Sequence, residues 1–322
     1  MTWTPLPDGA DPAFDGTDAP APLFRDPVFD GAADPSVMWN AATEEWWLLY
    51  TQRRANADVP GKAWIHGSDV GIATSDDGGR SWLYRGTLDL HVEPGHNTLW
   101  APEILHHDGT YHLFVSYITG IPQTWDRPRD VVHFTNDGLS LGGWTFEGAL
   151  ALSSDRVIDP DVHRLPDGSW RMWYKDERAG NATFVADSDD LFDWTAASEP
   201  AVSEPPHEAP IVFEYGGCYW LLADSWDGLT AWRSPDAENW TRQEGRLLDE
   251  AGVREGDDWH GGHPDVVVAD GDADVFYHVH QSMDEPDAKE DATGRARQTA
   301  LQVADLEIED GWLSCDRDAY AE

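Results

Sequence analysis

Lysine is almost missing from this chain: Lys62, Lys175 and Lys289 are the only three in 322 residues, so arginine carries nearly all the positive charge. Positive charge of any kind is scarce, with 21 Lys and Arg against 61 Asp and Glu and a formal net charge of -40. That balance excludes nucleic acid and anionic membranes as partners, because their phosphates demand the opposite sign. The acids run along the whole length and are not gathered in a tail. They describe a uniformly acidic surface of the halophilic kind, whose self-repulsion salt relieves. Stability is therefore expected to rise steeply from dilute buffer to molar KCl, read as Tm. Full activity in dilute buffer counts against salt adaptation.

Cysteine is scarce too. Cys218 and Cys315 are the only pair. They are too few for a disulfide framework, Cys218 lies in an apolar strand-like run, and both read as free thiols. Long apolar runs are missing: nowhere do about 18 apolar residues follow one another, and the start MTWTPLPDGADPAFDG has no basic residues and no apolar core. The expectation is a soluble, cytoplasmic protein. Helix signals are missing as well, since no stretch carries a clear apolar stripe of helical period.

What is present is 40% hydrophobic residues and 11% aromatics, enough for a packed core. Up to Phe24 the chain is rich in Pro, Gly and Asp and reads as an arm, residues 1–23. From residue 24 to 322 the apolar pattern has period two. EWWLLYT, TYHLFVSYI, SWRMWYK, CYWLLADSW and DVFYHVHQ read as strands, most of them entered from turns such as HDG and PDG.

The same unit recurs five times. It opens on an X-Pro pair in a short strand: ADPSVMW at Asp34, WAPEILHH at Ala101, IDPDVHRL at Asp159, EAPIVFEY at Glu208 and GHPDVVVA at His263. It closes on a turn ending at Trp82, Trp144, Trp194, Trp240 or Trp312. A sheet of about four strands cannot cover both of its faces, so repeated sheets stack around an axis. The expected fold is all-β: a single five-bladed β-propeller over residues 24–322, four antiparallel strands per blade, with its site at one end of the central channel. The closing tryptophans of the first four blades are expected in the core, wedged between neighbours, and not as ligand platforms.

In such a fold the innermost strands line the channel, so residues beside the five X-Pro pairs converge. Proline disfavours helix for the residue before it, which presents that residue at the mouth. The expected inward set is Asp34, Glu103, Asp159, Glu208 and His263, with Asp161 and Asp265 nearby. Any one acid in so acidic a chain is more often a solvated surface group, and Asp before Pro is an ordinary turn signal. Recurrence at equivalent positions is what lifts these. Crowded carboxylates repel, one pKa rises while others stay ionised, and an acid-base pair for glycosidic cleavage results. Second strands return to the same mouth, which nominates Arg53 and Arg54 after Gln52, Tyr117, Lys175 and Arg178, Trp226, and His280 before Gln281. Trp100 and Glu103 from the second opening join them as substrate-binding candidates. Arg and Trp suit hydroxyl recognition and stacking on a sugar face, with blade-to-blade contact as the alternative for each.

These stretches resemble the five-bladed glycoside hydrolases of family 43 and their relatives, over nearly everything from Phe24 to the C-terminus. The resemblance rests on ADPSV, LWAPEILHHDGTYHLFVSY, VIDPDVHRLPDGSWRMWY, HEAPIVFEYGGCYWLL and GHPDVVV. It implies Asp34 as general base, Asp159 as the residue that orients and tunes the acid, and Glu208 as general acid. It also implies inversion at the anomeric carbon, with the acid and base carboxyls about 6.5 to 9.5 Å apart. The substrate implied is a plant or algal oligosaccharide, such as an arabinoside, xyloside or anhydrogalactoside, with no organic cofactor. A calcium or sodium ion on the axis near His263 is implied too, although Pro264 and Asp265 stand where the family commonly continues with Asn-Ser. A β-fructosidase-like hydrolase and a non-catalytic carbohydrate-binding propeller remain alternatives, and the oligomeric state is left open.

Overall fold

The computed structural model describes residues 14, 19–269, 271–281 and 294–319. Most of the arm expected over residues 1–23 lies outside the described residues. Twenty strands form five antiparallel four-stranded sheets, each in simple sequence order. Blade one is β1 (Ala32–Asn40), β2 (Glu45–Gln52), β3 (Asp69–Ser75) and β4 (Leu83–Thr87). Blade two is β5 (Thr98–His107), β6 (Thr110–Ile118), β7 (Asp130–Asn136) and β8 (Thr145–Ala149). Blade three is β9 (Val157–Arg164), β10 (Trp170–Asp176), β11 (Ala182–Ser188) and β12 (Thr195–Ala196). Blade four is β13 (Glu208–Tyr215), β14 (Cys218–Asp224), β15 (Leu229–Ser234) and β16 (Thr241–Arg242). Blade five is β17 (Gly262–Ala269), β18 (Asp272–His280), β19 (Thr299–Glu309) and β20 (Trp312–Ser314).

The order of the units is the order read from the sequence, and the reason is local. Alternation gives each blade two apolar faces, and those faces meet only those of adjoining blades. Among the described residues five large apolar clusters result, one for each blade junction, beside a small one of Trp100, Ala101 and Ile118. Blades five and one share Leu48, Tyr50, Val267, Phe276 and Leu301, and blades one and two share Leu49, Ile72, Leu113 and Phe134. Each cluster has one closing tryptophan packed half-buried against it: Trp82, Trp144, Trp194, Trp240 and Trp312. Three of these rings donate their indole N–H back to their own turn, Trp82 to Gly79 O at 3.1 Å, Trp144 to Ser140 O at 2.9 Å and Trp194 to Leu191 O at 3.0 Å. The ring of blades is closed by chain preceding blade one. Phe24 and Leu301 exchange backbone hydrogen bonds of 3.3 and 2.9 Å, and Thr299 N–H donates to Asp30 O at 3.2 Å.

At each X-Pro pair the inner strand carries a register shift against its partner, a bulge. The residue before proline is neither helical nor extended. Asp34, Ala101, Asp159, Ala209 and His263 all have left-handed φ, between 45° and 56°. That backbone is strained for an L residue and persists only where the surroundings hold it. Here the hold is a hydrogen bond from the strained residue's own N–H to a side chain of the preceding blade. Ala101 N–H goes to Thr51 Oγ1 at 2.8 Å and Asp159 N–H to Ser116 Oγ at 2.9 Å. His263 N–H goes to Asp224 Oδ2 at 3.1 Å and Asp34 N–H to His278 Nδ1 at 3.4 Å. In these four the acceptor stands on a second strand; blade three alone supplies it from the inner strand, Ala209 N–H going to Asp159 Oδ2 at 3.1 Å.

Candidate active site

The bulges sort the acids into two levels. Asp34 and Asp159 occupy the strained position itself, and Glu208 stands one residue before it because Ala209 fills that slot in blade four. These three carboxylates, with His263 and Arg53, line one cavity of about 220 Å³ at the mouth of the channel. Glu103 does not join them. It follows Pro102, and with Asp161 and Asp265 it lies on the far side of the ring of prolines. There each carboxylate accepts a backbone N–H of another inner strand: Val162 to Glu103 at 3.3 Å, Val212 to Asp161 at 2.9 Å and Val37 to Asp265 at 2.6 Å. Burial pushes Asp265 up to about 7 and holds Glu103 and Asp161 well above the usual carboxylate range, with repulsion from neighbouring carboxylates adding to the rise at Glu103 and Asp161. This second level clips blades together. It also bounds a separate cavity beyond the prolines, walled by Trp39, Tyr111, Trp170 and Phe213.

Asp34 is held on one oxygen. Its Oδ1 is 2.7 Å from Arg53 Nη2, 3.3 Å from His263 Nδ1 and 3.5 Å from His278 Nδ1. Among the described residues no such contact falls on Oδ2, which leaves that oxygen for a water. Glu208 is paired with Lys175, Nζ to Oε2 at 2.9 Å. Burial pushes Asp159 up to about 6, the charges of Glu208 and Asp34 reinforce the rise, and His263 and Lys175 oppose it. Arg129, buried beside the cavity, donates to Glu177 Oε1 at 3.2 Å and to the carbonyl of Trp125, and its guanidinium lies 5.7 Å from the Trp100 ring.

A second lobe of about 190 Å³ opens on the other side of Glu208, sharing Arg53, Ile65, Trp125 and Glu208 with the first. Trp64, Trp226, His260, His278 and His280 wall it. Cations back its tryptophans: Lys62 lies 5.4 Å from the Trp125 ring, Arg297 5.4 Å from Trp64 and Lys175 5.4 Å from Trp226.

Of the expected binding residues, Arg53, Trp100, Trp226, His263 and His280 line one lobe or both. Four others face elsewhere: Tyr117 and Lys175 lie within strands, whose successive side chains point to opposite faces, whereas Arg54 and Arg178 lie in the connections that follow β2 and β10. Arg54 turns to the carbonyl of Ala63 at 2.5 Å, and Tyr117 is buried with its hydroxyl on Glu93 at 2.5 Å. Arg178 is exposed and paired with Asp155 at 2.8 Å, while Lys175 is buried behind Glu208. Sequence reading missed Trp64, Trp125, Arg129, Glu177 and His278. The available signal was length: residues 53–68 and 119–129 join second to third strands by far longer routes than 225–228 does, and each carries a tryptophan.

The ion expected near His263 finds a poor match. Its Nδ1 is directed at Asp34, and among the described residues no group of three or more His, Cys, Asp or Glu side chains stands ready to hold a metal. Calcium prefers six to eight oxygen ligands, which one imidazole does not approach.

Comparison with known proteins agrees with this fold. The family description "Glycosyl hydrolases family 43" matches residues 86–313. A probable arabinan endo-1,5-alpha-L-arabinosidase C of Aspergillus clavatus is 27% identical over 111 residues, 32% of each chain, so the match spans about a third of that relative's length. A beta-xylosidase/alpha-arabinofuranosidase from a compost microbial metagenome, solved with xylotriose in a calcium-free form, superposes with a TM-score of 0.65 at 16% identity, covering 91% of this chain and 96% of its own. An exo-1,5-alpha-L-arabinanase from a bovine ruminal metagenomic library gives 0.62 at 19% identity, covering 91% and 99%.

Proposed function

The chain belongs to glycosyl hydrolases family 43, and from that premise we propose that it is an inverting hydrolase of arabinan- or xylan-type oligosaccharides. One observation carries the reading: Asp34, Asp159 and Glu208, far apart in sequence, line a single cavity large enough for about one sugar ring. Asp34 is the deeper of the two reacting acids, its side chain 5% exposed against 29% for Glu208. A sugar seated in the inner lobe meets Asp34 from below, and its glycosidic oxygen points out past Glu208 toward the second lobe, which takes the leaving sugar. Trp226 and Trp64 offer that sugar apolar faces.

The reaction then follows from the positions. Glu208 gives its proton to the glycosidic oxygen as the bond to the anomeric carbon breaks. A water held on Asp34 Oδ2 attacks from the opposite side and passes its proton to Asp34. Arg53 and His263 fix Oδ1, so the remaining lone pairs are aimed and not free to rotate. Asp159 acts on the acid through the backbone. Its Oδ2 accepts the Ala209 N–H, one peptide away from Glu208, and so sets the direction from which the acid approaches.

Proton NMR of the first-formed product tests the proposal, with arabino- and xylo-oligosaccharides at high KCl. The expected first product is the sugar of inverted anomeric configuration. A retained anomer refutes the water-on-Asp34 mechanism, and no product from any of these glycans refutes the substrate class.

A further inference from the structure

The five-fold pattern of bulges is broken once, and the break falls beside the acid. In every blade one residue of the second strand pairs with the residue just before the X-Pro pair or just ahead of it: Thr51 with Ala33, Ser116 with Trp100, Lys175 with Ile158, Asp224 with Glu208 and His278 with Gly262. In four blades that side chain accepts the strained N–H of the next blade. Lysine cannot do this, because a protonated ammonium has three donors and no acceptor. In blade three the N–H of Ala209 is therefore served by Asp159, and the ammonium of Lys175 is released to Glu208.

Lys175 has a second acceptor within reach. Its Nζ is 2.9 Å from Glu208 Oε2 and 3.7 Å from Glu177 Oε1, while Arg129 holds the same Glu177 oxygen at 3.2 Å. The ring of Trp226 covers it at 5.4 Å. Only 3% of Lys175 is exposed, so its charge rests on the carboxylates around it, of which Glu208 and Glu177 are the ones Nζ reaches. Burial alone pulls the ammonium down, but Glu208, Asp159 and Glu177 outweigh it and its pKa is raised, so it stays a cation. A general acid has to hold a proton when the sugar arrives, whereas a cation at 2.9 Å favours the carboxylate.

We infer that Lys175 is a positioning residue that sets the pH span of the acid, holding Glu208 as a carboxylate in the free enzyme and passing to Glu177 when Glu208 takes up its proton. The proton comes from solvent onto Glu208, moves to the leaving oxygen during cleavage, and is matched by the one Asp34 takes from water. Other charged groups facing Glu208 are Asp159 and Arg129 from blade three and the loop before it, Asp224 of β14, its neighbour His207, and Arg53 and Asp34 across the cavity. His260, His278 and His280 face it from the second lobe.

The inference rests on Glu208 being the acid, and the experiment keeps the two apart. The pH profile of kcat/KM is measured for the wild type and for Lys175→Gln, Lys175→Arg and Glu177→Gln. The alkaline limb is expected to move up by about one to two pH units in K175Q, because the cation that favours the carboxylate is gone. It returns toward the wild-type position in K175R. It moves down in E177Q, where both Lys175 and Arg129 are left to face Glu208, and this arm decides the matter should K175Q not fold. Variants that scale kcat/KM by one factor at every pH overturn the inference and make Lys175 a structural ion pair. Undiminished turnover in Glu208→Gln overturns the assignment of the acid instead, whatever the lysine variants do.

Discussion

Asp34→Ala is expected to retain less than about a thousandth of wild-type kcat/KM on a natural oligosaccharide, at the upper end of what general-base catalysis supplies. The carboxylate does two jobs that no neighbour can assume. In the mechanism proposed, its Oδ2 takes the proton from water, and its Oδ1 pairs with Arg53 Nη2 and faces His263 Nδ1. Added azide needs no base, so it should restore turnover and yield the glycosyl azide of inverted configuration. Loss of less than tenfold, or no response to azide, removes Asp34 from the base's role.

Glu208→Ala separates substrates by their leaving groups. Turnover of arabino- or xylo-oligosaccharides is expected to fall by about three to four orders of magnitude, because an alkoxide leaves poorly without a proton. Aryl glycosides with acidic phenols need little help and should fall far less, and the alkaline limb of the pH profile should vanish. An equal loss on both substrate types, with the limb still in place, shows that the substitution has damaged the cavity and has not removed the acid. The two variants together bear on the same 220 Å³ space from opposite sides.

Much of this was legible because it is local. Alternation over seven or eight residues names a strand, and a turn followed by Trp names the end of a blade. The five X-Pro pairs could be counted directly. Asp34 and Asp159 stood out because they recur at one place in the repeat. Glu208 did not recur in that sense, since Ala209 holds the equivalent slot, and its role came from resemblance. Glu103 shows the limit of counting: two residues from Ala101 along β5, it sits past the proline and therefore on the other side of the ring, with Asp161 and Asp265. Pre-proline sterics kept the residues before each proline out of helix but did not give their backbone. Five residues adopt left-handed φ because a side chain of the preceding blade, or of its inner strand, captures the N–H, which no property of a dipeptide reveals.

Composition, period and repeat by themselves determined that this chain builds five alike sheets with apolar faces on both sides, and hence that they stack in a circle around acids. Which carboxylate meets sugar, which clips two blades, and which is answered by Lys175 was decided only by folding. Those outcomes depend on contacts between residues tens of positions apart, and on loops such as 53–68 and 119–129 whose irregular sequence has no period to read. Just past the end of β2, Arg53 enters the cleft and Arg54 turns away to the carbonyl of Ala63, a difference that backbone path and not period decides.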